Sequence, residues 1–151
     1  MTTTARKPKV PRPEKPQFRK AFPALEPGKQ HAMYIPNWMP ATVNQIYDRH
    51  FWVGAELKKR DKRLVGAFAG MQGTQTIDRD RPIKRRVSLV IRLAKGKRAA
   101  DPDAYWKSTL DALVHADLLR NDSHVWCEHG GVIFERSKTA EFGTTIILED
   151  I

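Results

Sequence analysis

Asp101 and Asp103 stand two residues apart in the stretch Asp101-Pro102-Asp103-Ala104-Tyr105-Trp106-Lys107. Carboxylates at this spacing, held where a strand gives way to a helix, can converge on a hard divalent cation such as Mg²⁺, which takes oxygen ligands. Lys107, one helical turn further on, is placed to hold a phosphate oxygen or to orient an attacking water. Between Arg79 and Arg98, immediately upstream, lie nine basic residues and a single acid, Asp80. Carboxylates inside a cationic surface oppose phosphate binding unless a divalent metal bridges the two. The pattern therefore points to metal-dependent phosphodiester chemistry. A plainer reading accounts for the same residues: Asp101 as N-cap, Pro102 at the first helical position and Asp103 in the first turn make a good helix start. Lys107 can then simply pair with Asp103 or Asp111 across a turn.

Positioning such a group requires a strand before it and a helix after it, and the hydrophobic periodicity supplies both. Ile83 to Leu93 alternates at Val87, Leu89 and Ile91, with Ser88, Val90 and Arg92 on the other face, which predicts a strand. A helix over 103–118 follows, its buried stripe made by Trp106, Leu110, Leu113 and Val114. Earlier in the chain, 31–35 reads as a strand closed by Pro36, Trp38 and Pro40, and a loop with Asn44 comes next. Residues 53–69 read as a helix with Leu57, Leu64, Val65 and Phe68 on one stripe and Lys58, Lys59, Lys62 and Arg63 opposite. Strands over 125–136 and 142–149 end the chain, and Gly130-Gly131 reads as a bulge or turn. The order β-α-β-α-β-β predicts one α+β (mixed α/β) domain, a mixed sheet packed by two helices, over 31–151.

Residues 1–30 differ from the rest. They hold six of the ten prolines and eight Lys/Arg against Glu14 and Glu26. Proline removes backbone donors, so this segment is expected to be a flexible cationic arm. Over the whole chain 27 basic residues face 17 acidic ones, a net charge of +10 in 151 residues. That surplus favours a polyanionic partner, most simply nucleic acid. No apolar run approaches the roughly 20 residues of a membrane-spanning helix, and the N-terminus lacks a secretory signal. Cys127 is the only cysteine, which excludes an internal disulfide. The expectation is an intracellular, cytoplasmic or nucleoid-associated protein with no membrane partner and no small-molecule substrate.

Asp101-x-Asp103-x3-Lys107-x3-Asp111-Ala112-Leu113, followed by Asp122, resembles the RusA family of Holliday-junction resolvases. Ile35-Pro36-x-Trp38-x-Pro40 and Asn44 are similar to the start of that family's domain, so the resemblance covers about residues 32–151. It implies a homodimeric endonuclease, dependent on Mg²⁺ (with Mn²⁺ as a possible substitute), that nicks four-way DNA junctions symmetrically in recombination and repair. By the same resemblance, Asp101, Asp103 and Asp122 are the metal ligands, and these three with Lys107 form the catalytic group. Two positions depart from the family: Ala104 where many members have asparagine, and Asn121-Asp122 in place of two aspartates. A phage or prophage origin is compatible with this resemblance. Two alternatives stay open: a nucleic-acid-binding module with weakened catalysis, and a nuclease for flaps or forks.

A continuous helix over 103–118, at about 1.5 Å per residue, separates its ends by roughly 22 Å. Asp122 follows the far end, so it reaches Asp101 and Asp103 of its own chain only if the helix stops early or the chain doubles back. A two-fold partner with this helix antiparallel would bring its own Asp122 alongside, giving a composite site across a dimer. Phosphate contacts are expected from Lys58, Lys59, Lys62, Arg63, Lys84, Arg85, Arg86, Lys95, Lys97 and Arg98. Phe51 and Trp52 would suit a wedge at a junction centre, although aromatic side chains are more often buried. His124, Cys127 and His129 invite a zinc reading but lack a fourth ligand nearby, so strand packing is the expectation there. His115 is expected to face solvent beside Asp111.

Overall fold

The computed structural model describes residues 30–47 and 50–151. The basic arm expected over 1–30 lies outside these residues except for Gln30, which opens the first strand. Strand β1 (Gln30–Pro36) is followed by a one-turn helix α1 (Val43–Ile46) and the long helix α2 (Phe51–Met71). Strand β2 (Arg85–Leu93) leads into a 3-10 turn (Pro102–Tyr105) and helix α3 (Trp106–His115). Strands β3 (Cys127–Arg136) and β4 (Gly143–Asp150) complete the chain. The α+β class and the element order expected from the sequence are both present. Asn44 differs: it lies inside α1, which Thr42 and Gln45 start with a reciprocal capping box.

The sheet order is β1-β4-β2-β3. β2 pairs parallel with β3, while β4 is antiparallel to both β1 and β2. A parallel pair needs a crossover, and the 3-10 turn with α3 provides it. Alternation places Val87, Leu89, Ile91 and Leu93 of β2 in the core with Met33, Ile35, Ile146 and Leu148. Helices α2 and α3 close over them through Val65, Ala69, Leu110 and Leu113. Aliphatic and aromatic burial at this density, about 25 cal/mol per Å² of apolar surface, is what holds the layers together. Gly130-Gly131, expected as a bulge or turn, forms a bulge where β3 pairs with β2: Val87 faces His129 while Ser88 faces Gly131, leaving Gly130 unpaired. A Cβ at Gly130 would stand 2.0 Å from Ser88 Oγ and 3.0 Å from Arg86 Cγ, so a side chain there requires the Ser88 and Arg86 side chains to move aside.

Helix α2 buries Gly54, Asp61, Val65 and Ala69, a narrower and more polar seam than the Leu57/Leu64/Phe68 stripe suggests. At Gly54 the carbonyl of Ile46 passes where a Cβ would be, 2.0 Å away, so α1 can cross only against a glycine. The turn before this crossing runs past the packed region. Phe51 and Trp52, which suit a wedge although aromatic side chains are more often buried, are 79% and 56% exposed, and Trp52 stacks on His50. At the other end of α2, Gln72 donates Nε2 to Tyr34 O (2.7 Å) and accepts from Tyr34 N at Oε1 (3.1 Å). One side-chain amide thus satisfies part of the free edge of β1.

Candidate catalytic and nucleic-acid-binding site

Asp101 and Asp103 lie beyond the carboxyl end of β2, where the crossover begins. In open α/β sheets this is the end at which ligands bind. Asp101 has the extended backbone that precedes a proline (φ −57°, ψ 140°), and Pro102 takes the first position of the 3-10 turn. Its side chain makes no capping hydrogen bond; the turn is closed instead by Ala104 N donating to Asp101 O at 2.9 Å. Both carboxylates are exposed, and neither has a hydrogen bond or ion pair among the described residues. Helix capping therefore does not account for the Asp101 side chain. Lys107 pairs with Asp111 at 3.5 Å, an i,i+4 contact between partly exposed groups. Such a pair is worth only about 0.3–0.5 kcal/mol and leaves the ammonium free to change partner.

Behind these residues lies a polar centre that the motif reading missed. Asp61 is fully buried on the core seam of α2. Its Oδ1 accepts from Trp38 Nε1 at 2.8 Å, and from Arg60 Nε and Nη2 at 3.0 and 2.9 Å. Its Oδ2 accepts from Ala41 N at 2.8 Å and Ser108 Oγ at 2.7 Å. The single carboxylate ties the Pro36–Pro40 loop and α2 to the first turn of α3, next to Lys107. The sequence signal was present: a carboxylate in phase with Gly54, Val65 and Ala69 can be buried only with its lone pairs satisfied. Ala100 N donating to Tyr105 Oη at 2.9 Å fixes the approach to Asp101 in the same way.

Asp122 occupies the other end of the crossover. α3 stops at His115, earlier than the expected 118, and Asp117 takes a left-handed conformation (φ 58°) that turns the chain away. Asn121 Oδ1 accepts from Ser123 N (3.0 Å) and Oγ (2.6 Å), shaping the turn before β3. Asp122 is exposed and precedes Cys127, which is paired with Arg85 at the amino end of β2. Among the described residues no three His, Cys, Asp or Glu side chains stand close enough to hold a metal ion. Asp101 and Asp103 offer hard oxygen donors suited to Mg²⁺, but one chain does not bring Asp122 to them, even with the shorter helix. A single copy therefore lacks the complete donor set that the resemblance implies.

The basic residues have different destinations. Arg85 is withdrawn from the expected phosphate contacts: it is 1% exposed, ion-paired to Asp150 at 2.7 Å, and donates to Gln75 O and Leu118 O. Its position on the core-facing side of β2 makes it a clamp between loops. Arg86, one residue on, points to the opposite face and lies between Glu128 (3.3 Å) and Glu149 (3.1 Å). Glu128 first, and Glu149 after it, raise the Arg86 pKa further, so its charge is already answered within the protein. Arg92 is placed similarly between Glu135 and Glu141 at 3.6 Å each. Alternation of faces along β2 is the reason: a run that looks uniformly cationic in sequence is divided between core and a charge-balanced sheet surface. Lys95, Lys97 and Arg98, by contrast, are exposed in the turns beyond the carboxyl end of β2, the end from which Asp101 follows. Lys84 sits at the opposite, amino end of the strand. On α2, Lys59 and Arg63 are exposed while Lys58 and Lys62 are partly covered, and Lys59 pairs loosely with Glu56 at 3.6 Å.

His129 stacks on Trp106 with ring centroids 4.4 Å apart, and Cys127 is buried. Burial, helped by Asp122 and opposed by Lys84, pushes the Cys127 thiol up to about 11. His124 lies ahead of β3 in the turn, and His115 is exposed one turn beyond Asp111. Compared with known proteins, the chain matches no protein-family model and no curated protein.

Proposed function

We propose that the chain is a structure-specific endodeoxyribonuclease of the RusA kind that acts as a homodimer on four-way DNA junctions. The observation that carries this reading is the pair Asp101 and Asp103: exposed, unpaired among the described residues of a chain of net charge +10, and unused for capping. Uncompensated carboxylates beside Lys95, Lys97 and Arg98 repel a phosphate backbone, which is a cost with no structural return unless a divalent cation joins them to it. The position of the pair at the carboxyl end of a parallel strand supports the same reading. Asp122, at the far end of the crossover, meets the pair only from a second copy with its α3 antiparallel. Such an arrangement suits paired cuts on opposed strands, because two-fold symmetry generates two equivalent sites.

A labelled four-way junction tests this, with duplex, flap and fork controls and divalent cation added or chelated. Symmetric nicks in the junction, lost in Asp103→Asn, are the expected result; preference for flaps or forks shifts the substrate within the same chemistry. Mixing Asp103→Asn with Asp122→Asn subunits then tests the shared site. Each mixed dimer holds one intact site if the acids come from different chains and none if they come from one. Restored cleavage is expected; no recovery rejects the composite arrangement.

A second reading has its own observation. The three carboxylates are not gathered within one chain, and Ala104 and Asn121 replace residues typical of the family. These suit a module that binds branched nucleic acid without cutting it, and junction binding with no nick under any divalent cation would establish that.

A further inference from the structure

A cleft of about 470 Å³ opens between the Pro36–Pro40 loop, α1, α2 and the segment leading to Asp101. Its volume falls within the roughly 300–1,000 Å³ of sites for small ligands. Pro40, Leu64 and Phe142 give it apolar walls, with one planar ring at Phe142, while Gln45, Arg60 and Arg98 bring polar groups to its lining. Arg60 is set before anything binds. Its Nε and Nη2 donate to Asp61, Nη2 also donates to Met39 O at 3.0 Å, and Nη1 has no partner among the described residues. Because Asp61 already answers the Arg60 charge, that guanidinium offers a fixed donor and a flat face. Arg98 is exposed with no carboxylate partner among the described residues, and it supplies the net positive charge. Gln45 Oε1 is occupied by Thr42 N at 2.9 Å, which fixes the amide and leaves its NH₂ as a donor. Ala100 lines the cleft, so Asp101 follows directly at its rim.

Apolar walls with a planar ring at Phe142, an oriented amide, a pinned guanidinium and one unanswered cation together match a base joined to a phosphate. We propose that this cleft receives one unpaired nucleotide of a DNA strand, its base against Leu64 and Phe142 and its phosphate on Arg98. The proposal rests on the reading of the chain as a DNA-binding protein but needs no cleavage. A nucleotide extruded here would place the adjoining backbone beside Asp101 and favour branch points, where unpairing costs least. The cleft is then a device for substrate choice.

The test uses the full chain and four-way junctions carrying 2-aminopurine at successive positions around the crossover, read by fluorescence, with total binding read by anisotropy. The expected result is a fluorescence rise at one position, abolished by Leu64→Trp, which fills the cleft, and by Arg98→Glu, which folds normally because it is on the surface. Arg98→Glu should also weaken junction binding about tenfold, equivalent to 1.4 kcal/mol. Junction binding with no fluorescence change at any position overturns the cleft assignment and leaves the DNA reading standing. Absence of any DNA binding overturns both. Saturable binding of free 2-aminopurine deoxynucleoside monophosphate without a junction response identifies a free nucleotide as the ligand and overturns the strand.

Discussion

Replacing Asp61 by alanine should remove a large share of the stability of the fold. The carboxylate is 0% exposed and accepts five hydrogen bonds, from Trp38, Ala41, Ser108 and twice from Arg60. Without it, Trp38 Nε1 and Ala41 N remain buried with no acceptor, each at a cost of about 1–3 kcal/mol. Ser108, 1% exposed, loses its acceptor as well, whereas the Arg60 side chain is 36% exposed, so water recovers part of that one loss. Breaking a buried charged contact from one side typically costs about 3–5 kcal/mol. The expected loss is about 4 kcal/mol, a large share of the roughly 5–15 kcal/mol that holds a domain together. Urea titration followed by Trp fluorescence measures it, and at a slope of about 2 kcal/mol per molar the midpoint should fall by roughly 2 M. Asp61→Asn should recover little, because one amide end must then present N–H to donors already facing it. A loss below about 1 kcal/mol for the alanine variant, within the range of ordinary surface substitutions, would refute the claim that this carboxylate organises the loop and helix around it.

Two further outcomes follow from the same geometry. Arg86→Ala combined with Glu128→Gln, which leaves the net charge of the cluster unchanged, should leave DNA affinity unchanged because Arg86 is already held by Glu128 and Glu149, whereas Lys97→Glu should weaken binding and lower the salt-dependence slope by about 1 or more; anisotropy titrations across a salt series check both, and equal effects would remove the distinction between the two groups. Cys127, with its thiol raised from 9.0 to about 11, should resist alkylation in the folded protein at pH 8. The unfolded thiol ionises first, so this contribution to stability is fully present below pH 9 and disappears as pH rises through about 11; Cys127→Ala should lack that alkaline loss in denaturation curves taken across the interval.

The α+β class and the order of strands and helices were legible because each core strand alternates and each helix repeats its apolar positions. Val87, Leu89 and Ile91 declare β2, and Trp106, Leu110 and Leu113 declare α3. Gly130-Gly131 was legible as a bulge or turn because two glycines in succession have few other uses in a strand, and the register shift falls there. What periodicity could not supply was the destination of charged groups. Arg85 and Arg86 are neighbours of one chemical type, yet the first is buried against Asp150 and the second is shared by Glu128 and Glu149. Their partners lie 65 and 63 residues away on β4, with a third on β3, and no local pattern contains that pairing. The exposure of Phe51 and Trp52 was not legible for a related reason: they precede the 53–69 stretch whose phase was readable, and residue type alone favours burial of an aromatic ring.

Asp61 and the acids at 101 and 103 show the two ways in which a carboxylate can be retained in a strongly basic protein. Asp61 is buried, and every lone pair is matched by a donor, so its removal is a question of folding. Asp101 and Asp103 are held by backbone geometry that Pro102 and the Ala104 N–H impose, with no side-chain bond to satisfy. Their removal should therefore be nearly neutral for stability, and any strong effect must appear in what the protein binds or cuts. The two sites are also mechanically joined. Ser108 carries the Asp61 contact into the first turn of α3, and Arg60 links the same carboxylate to the cleft beside Ala100. The buried acid thus anchors the loop, α2 and the first turn of α3, the helix that Asp101 and Asp103 lead into, and such support from packed elements is what a site of two short side chains requires.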